Sequence, residues 1–280
     1  MSELEALLLG IVQGLTEFLP ISSSGHLILV PWLQDYTFLQ ENESFHKTFD
    51  VALHIGTLVA VLGYFHRELR EAAAGLLRSI SKRAITERDE KLAWVIVIGT
   101  VPAVIVGGLG EDWIDTNLGE PWMIAVQLIA FGLLLAHADR RPQRREMRGV
   151  GLLDGAIIGT AQALALAPGT SRSGVTITAA RYLGFGRDAA ARISFLLLVP
   201  ATAGAGVVKA YDAFTEGLPD GVVGPMIVGF FAAAISGYAA IAWLLRLVRT
   251  HSYDGFVVYR LLAGAGVLIL IATGVRSATF

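Results

Sequence analysis

Long apolar runs without a single charge constrain this chain more than any other feature. No charged side chain lies between Leu92 and Leu109, or between Val222 and Leu245. Each run comes near or passes the ~20 residues that a helix needs to cross the hydrocarbon core of a bilayer. The rest of the composition agrees: 54% of residues are hydrophobic and 16% charged, against roughly 25% charged in a soluble domain. With a net charge of −2 and no basic patch interleaved with aromatics, nucleic acid is excluded as a partner. The absence of cysteine excludes disulfide and thiolate chemistry. The acidic start Met1-Ser2-Glu3-Leu4-Glu5 lacks the basic region of a cleaved leader, so the first apolar segment is expected to stay in the fold.

The expected fold is an all-α integral membrane protein. Six segments read as full spans: about Val51–Phe65, Leu92–Leu109, Trp122–Ala136, Ile193–Val208, Val222–Leu245 and Phe256–Gly274. Two further apolar segments are broken. Leu4–Leu19 runs into Pro20-Ile21-Ser22-Ser23-Ser24-Gly25-His26, and Leu152–Ala167 runs into Pro168-Gly169-Thr170-Ser171-Arg172-Ser173-Gly174. Proline cannot continue a helix, while glycine and serine supply turns and caps. Both segments are therefore expected to be re-entrant helical hairpins, over residues 4–34 and 152–184. Irregular backbone at that depth is tolerated where it is buried in protein or lines a wet cavity.

A shift of 149 places Gly10 on Gly159, Gln13 on Gln162, Leu15 on Leu164, and Ser22-Ser23-Ser24-Gly25 on Ser171-Arg172-Ser173-Gly174. Residues 1–149 and 150–280 thus read as two repeats, each one hairpin plus three spans, in one compact membrane domain. Arginine and lysine orient the chain. Arg67, Arg70, Arg78, Lys82, Arg83, Arg88 and Lys91 fill one connection, and Arg140, Arg141, Arg144, Arg145 and Arg148 fill another. Both are expected at the cytoplasm. The connection with Glu111, Asp112, Asp115 and Glu120, and the one over Asp212–Asp220, are expected outside. Three spans per half is an odd number, so the repeats are inverted and the serine-rich loops meet near the midplane.

Those loops hold the chemistry. Gln13 and Glu17 share a helix face, and a carboxylate inside an apolar hairpin needs a partner, a metal or a wet cavity. Ser22, Ser23 and Ser24 offer three hydroxyls where a helix cap needs one. The amides behind them, with Gly25 allowing close approach, suit an anion. Arg172 offers a planar fork for phosphate oxygens, flanked by Thr170, Ser171, Ser173 and Gly174. The blander reading makes Glu17 and Arg172 a structural pair, or lets Arg172 snorkel to the interface. Asp50 and His54, four apart at the head of the first full span, could approach the site, though capping and anchoring that helix is the expectation. Together the loops supply a nucleophile, a base, a carboxylate and an anion clamp, an inventory suited to phosphoryl transfer.

Gly14-Leu15-Thr16-Glu17-Phe18-Leu19-Pro20-Ile21-Ser22-Ser23-Ser24-Gly25-His26 resembles the first signature of the undecaprenyl-diphosphate phosphatases, the bacitracin-resistance BacA/UppP family. Pro168-Gly169-Thr170-Ser171-Arg172-Ser173-Gly174 resembles the second, and Phe49-Asp50-Val51-Ala52-Leu53-His54-Ile55-Gly56 is also similar to the family. The resemblance covers essentially the whole chain. It implies hydrolysis of a polyprenyl diphosphate lipid in the bacterial cytoplasmic membrane, with the site open to the outer side. It implies Ser23 as nucleophile, His26 as general acid/base, Arg172 as phosphate binder and Glu17 as second acid of a Glu/Gln-x-x-x-Glu motif, whose first position is Gln13 here. It also implies a divalent cation, magnesium or calcium, with Glu17 as candidate ligand. Ser23 attack assisted by His26 or Glu17, and direct attack by water, both stand open. Membrane lipids are expected partners and a homodimer is allowed. The rival reading from another class is a polyprenyl-phosphate transporter, since inverted repeats and broken helices are marks of secondary transporters.

Overall fold

The computed structural model describes residues 1–36, 43–216 and 221–279; the side chains of residues 43, 44, 47, 111, 112, 115, 116 and 208–216 are outside that description. Of the connection expected over Asp212–Asp220, residues 212–216 belong to the last turns of the helix Arg187–Glu216 and residues 217–220 lie outside the described residues, as do the side chains of Glu111, Asp112 and Asp115. Within them the chain is all-helical. The helices are α1 (Glu3–Phe18), α2 (Ser23–Gln34), α3 (Glu43–Tyr64), α4 (His66–Lys82), α5 (Arg88–Asn117), α6 (Pro121–Asp139), α7 (Leu152–Ala163), α8 (Arg172–Tyr182), α9 (Arg187–Glu216), α10 (Val223–Leu247) and α11 (Asp254–Ala272).

Five stretches are long and apolar enough to cross a membrane: Arg88–Gly110, Pro121–Asp139, Arg187–Val207, Val223–Leu247 and Asp254–Ala272. A sixth arises if α3 and α4, bent by 85° at their junction, count as one. Three expectations need correcting. The first full span begins at Glu43, so Asp50 and His54 sit inside α3 and do not cap it. The basic stretch after it, read as a connection, is the helix α4. Its Leu69, Ala72, Leu76 and Ser79 repeat at helical spacing and face inward, while the charges of Arg67, Arg70 and Arg78 face out. Finally, α5 runs to Asn117, so Glu111, Asp112 and Asp115 belong to its last turns.

Small residues let the helices approach. α1 packs along α10, and α7 along α5. At Gly14 a Cβ would lie 2.5 Å from the Ala233 carbonyl oxygen, and at Gly159 one would lie 2.5 Å from the Gly99 Cα. Where lipid tails are as apolar as leucine, such close contact is what holds helices together. At the end of the bundle bearing most of the arginines, Asp139 is buried and binds Arg181, Arg187 and the Tyr253 amide, tying α6, α8, α9 and the start of α11.

Both broken segments are interrupted at the residues where a break is expected. After Leu19 the chain leaves α1 and re-enters a helix at Ser23; after the short turn Leu164–Leu166 it re-enters at Arg172. Ser22 and Ser171 cap the second arms, each accepting a bond from the amide three residues on, at Gly25 and Gly174. Their φ angles are 78° and 74°, a region costly for any residue but glycine, on the order of 1–3 kcal/mol each. The same shift of 149 relates these two strained caps.

Candidate active site

The two turns are laced together by their own polar groups. Ser22 Oγ accepts from the Gly169 amide at 3.1 Å, and Ser173 Oγ donates to the Leu19 carbonyl at 2.9 Å. Ser171 Oγ lies 3.2 Å from Ser173 Oγ, and Thr170 Oγ1 donates to Gln127 Oε1 at 2.6 Å. Ser22, Thr170, Ser171 and Ser173 are all buried. Of the hydroxyls singled out in sequence, these four are occupied in holding the loops, leaving Ser23 and Ser24, partly exposed at the start of α2.

Glu17 is where the halves meet. Its carboxylate is buried near the end of α1 and accepts from Gln13 Nε2 at 3.0 Å and from Ser23 Oγ at 2.6 Å, both through Oε2. Its Oε1 receives Arg172 Nη2 at 3.0 Å, from the other half of the chain. Arg172 Nη1 donates to the Ser194 carbonyl at 3.1 Å. The guanidinium has five N–H donors, so donors remain for an anion. Arg172 does not snorkel; it spans the two halves. The Glu17–Arg172 pair of the blander reading is present, with Ser23 on the same carboxylate.

His54 joins them. Its Nδ1 faces the Asp50 carbonyl at 2.7 Å and its Nε2 stands 3.6 Å from Glu17 Oε2. A carbonyl only accepts, so Nδ1 carries the proton and Nε2 is free to exchange one. The sequence placed His54 as an anchor because its neighbours suggested only a helix start. Its contact with Glu17 is tertiary.

His26 points elsewhere. Nδ1 faces the Ser22 carbonyl and Nε2 the Tyr259 hydroxyl, each at 2.6 Å, and the His26 and Tyr259 rings stack 5.6 Å apart. By the same logic the basic Nε2 is turned toward α11. Arg260, next to Tyr259, lies outside the motifs that single out the site in the sequence. A lone arginine in the apolar run Phe256–Gly274 was the available signal, since intramembrane charges are rare and usually functional.

Among the described residues no group of three or more His, Asp or Glu side chains converges as a cation cage. Glu17 is already shared by Arg172, Ser23 and Gln13, while Gln13 Oε1 is buried without a partner. Such a donor set does not fit a resident cation.

A family model described as bacitracin resistance protein BacA matches residues 6–266. A protein of Geobacter metallireducens named undecaprenyl-diphosphatase is 47% identical over 273 residues, covering 97% of this chain and 99% of that one. Proteins of the same name from Geobacter sulfurreducens and a Nocardioides species are 48% and 43% identical, over 96% and 98% of this chain and 98% of each relative.

Proposed function

The chain belongs to the bacitracin resistance protein BacA family, and from that footing we propose that it hydrolyses undecaprenyl diphosphate to undecaprenyl phosphate and inorganic phosphate. The reaction returns the lipid carrier of cell-wall polysaccharide synthesis, and it underlies resistance to bacitracin. One observation carries the assignment of residues: Ser23 and Arg172, at equivalent places in the two turns, meet on the two oxygens of Glu17.

Arg172 holds the terminal phosphate through its remaining N–H groups, joined by orphan amides at the starts of α2 and α8. The Ser24 hydroxyl is partly exposed beside Ser23 and contributes a further donor. Glu17 Oε2 takes the Ser23 proton as Ser23 Oγ attacks the terminal phosphorus. The bond to the bridging oxygen breaks and undecaprenyl phosphate leaves. Once Glu17 has passed that proton to His54, it takes a proton from water as the water oxygen attacks the phosphoserine; the bond to Ser23 Oγ breaks, inorganic phosphate leaves, and Glu17 returns the proton to Ser23 Oγ. Hydrogen bonding supports Glu17 as base over His26, whose Nε2 faces Tyr259; His26 then orients the Ser22 carbonyl and the first turn. His54, beside Glu17, carries the proton onward to solvent. A magnesium or calcium ion bound to the substrate's own diphosphate would offset charge on its oxygens, and no residue of this chain is assigned to hold it.

The two halves are inverted repeats that bring the hairpins in from opposite faces of the bacterial cytoplasmic membrane, with the site reached from the outer side. The 149-residue shift relating the two strained caps supports the repeat, and the arginine distribution supports the orientation. Phosphate release from undecaprenyl diphosphate by detergent-purified protein tests the function, with wild type beside Arg172→Ala and with chelator added. Release that disappears in the variant sustains the reading; folded wild type that releases none with magnesium present overturns it.

A further inference from the structure

Arg260 lies in the apolar run of α11, where a cation is costly. Its side chain is fully buried, and no Asp or Glu among the described residues lies within ion-pair distance. Its guanidinium instead makes five bonds to backbone carbonyls. Nε donates to Leu128 at 2.9 Å and Nη1 to Pro20 at 3.1 Å. Nη2 is shared by Gln127 at 3.2 Å, Gly169 at 3.0 Å and Thr170 at 3.1 Å. Pro20 lies two residues before the strained cap Ser22, while Gly169 and Thr170 directly precede the strained cap Ser171. One planar fork therefore grips both turns and the α6 backbone. Space for it depends on a glycine, since a Cβ at Gly174 would lie 3.0 Å from Arg260 Nη1.

Two consequences follow from this placement. Carbonyls at the ends of broken helices are buried and need donors, and Arg260 supplies them to both hairpins at once. The spacing between the turns, and hence between Ser23 and Arg172, is thus fixed by a residue that touches neither. Next, Glu17 and Arg172 cancel one another's charge, whereas the charge of Arg260 meets carbonyl dipoles and no carboxylate. Arginine keeps its proton in proteins, so the positive charge persists behind the turns.

We propose that Arg260 is a positioning residue for the phosphatase site, holding the two serine-rich turns in register for transfer to Ser23. The proposal rests on the phosphatase reading above. A lysine in its place keeps the charge and offers three donors in place of a rigid five-donor fork. It cannot bridge both turns and α6 in one plane. Misplacement of reacting groups by about 1 Å costs on the order of 10²-fold in rate.

The test compares wild type with Arg260→Lys and Arg260→Gln, purified in detergent and normalised to the folded, monodisperse fraction. Two readouts are taken: kcat and KM for phosphate release from undecaprenyl diphosphate, and amide hydrogen exchange by mass spectrometry. The expected result is a kcat lowered at least ~10-fold in Arg260→Lys with KM changed less than ~3-fold. Exchange should quicken in peptides covering residues 19–26 and 167–174 and stay level elsewhere. Arg260→Gln, which also loses the charge, should lie lower still in kcat. A kcat per folded Arg260→Lys molecule within ~2-fold of wild type overturns the proposal. So does exchange that rises throughout the bundle, which would mark a residue that serves only the fold. If wild type itself releases no phosphate, the phosphatase reading has failed, and the exchange pattern alone decides whether Arg260 locks the turns.

Discussion

At the residue scale, a single carboxylate carries the proposed chemistry. Glu17 accepts the Ser23 hydroxyl on one oxygen and Arg172 on the other, so base and anion clamp are coupled through one group. Groups that act as a unit are not additive when removed. Ser23→Ala and Glu17→Gln are each expected to lower kcat by at least ~10³-fold, and the double variant by little more than either alone. Steady-state phosphate release measures all three; near-normal turnover by Ser23→Ala would show the phosphoserine route to be wrong. Arg172→Lys keeps a charge but not the fork that serves Glu17, Ser194 and the phosphate together. A fall of about 10²-fold in kcat/KM is expected, and a loss below ~3-fold would make Arg172 a structural tie. Glu17, Ser23 and Arg172 were legible in the sequence because polar groups in apolar surroundings advertise a use. The contacts of His54, Tyr259 and Arg260 were not, because their partners lie far along the chain, even where a lone arginine in an apolar run signals a use. Arg260 is 240 residues from the Pro20 carbonyl it binds, and nothing near it in sequence shows that contact.

At the element scale, glycines let the two short helices α1 and α7 lie against the long helices α10 and α5. The spans within α5, α6, α9, α10 and α11 were legible because hydropathy needs no tertiary knowledge. α4 was hidden, since a half-apolar helix rich in arginine averages to a polar connection in a running count. The faces that bind α1 to α10 and α7 to α5 were likewise invisible, because a glycine in a helix looks the same whether or not another backbone lies against it. The structure separates the cases. A Cβ at Gly14 would collide with the Ala233 carbonyl and crowd Ser236, while Gly108 in α5 has nothing within 4 Å of its Cβ position. Gly14→Ala should therefore destabilise the bundle by about 1–3 kcal/mol, the cost of overpacking against unyielding backbone. Gly108→Ala should leave stability level or raise it by up to ~1 kcal/mol, the usual helix preference. Thermal unfolding of both variants in one detergent checks the pair. Equal shifts would show that close approach of α1 and α10 does not hold the first hairpin in place.

At the scale of the whole molecule, the proposed duplication would let one chain build a site from two unlike halves. Ser23 and Arg172 occupy equivalent positions under the 149-residue shift, as do Ser22 and Ser171 at the strained caps. One copy keeps a nucleophile there and the other a cation, so a single site forms where the turns meet, with Glu17 matched by the apolar Leu166. Such a site needs the hairpins to approach from opposite faces, which the proposed inversion provides. α5 offers a test of that orientation, because its 30 residues extend roughly 45 Å, enough to place its ends on opposite sides of a bilayer. Ala84, before its start, and Asn117, at its end, are both exposed, and the chain has no native cysteine to interfere. In intact cells Asn117→Cys should react with a membrane-impermeant maleimide, and Ala84→Cys only after permeabilisation. Reaction of both from one side would mean that α5 does not span the membrane; exchange of the two patterns would turn the molecule over and bring its substrate from the cytoplasm. The stated outcome places the first hairpin's entry outside and the second's inside, so that lipid arriving in the outer leaflet meets Ser23 with Arg172 reaching it from the opposite half.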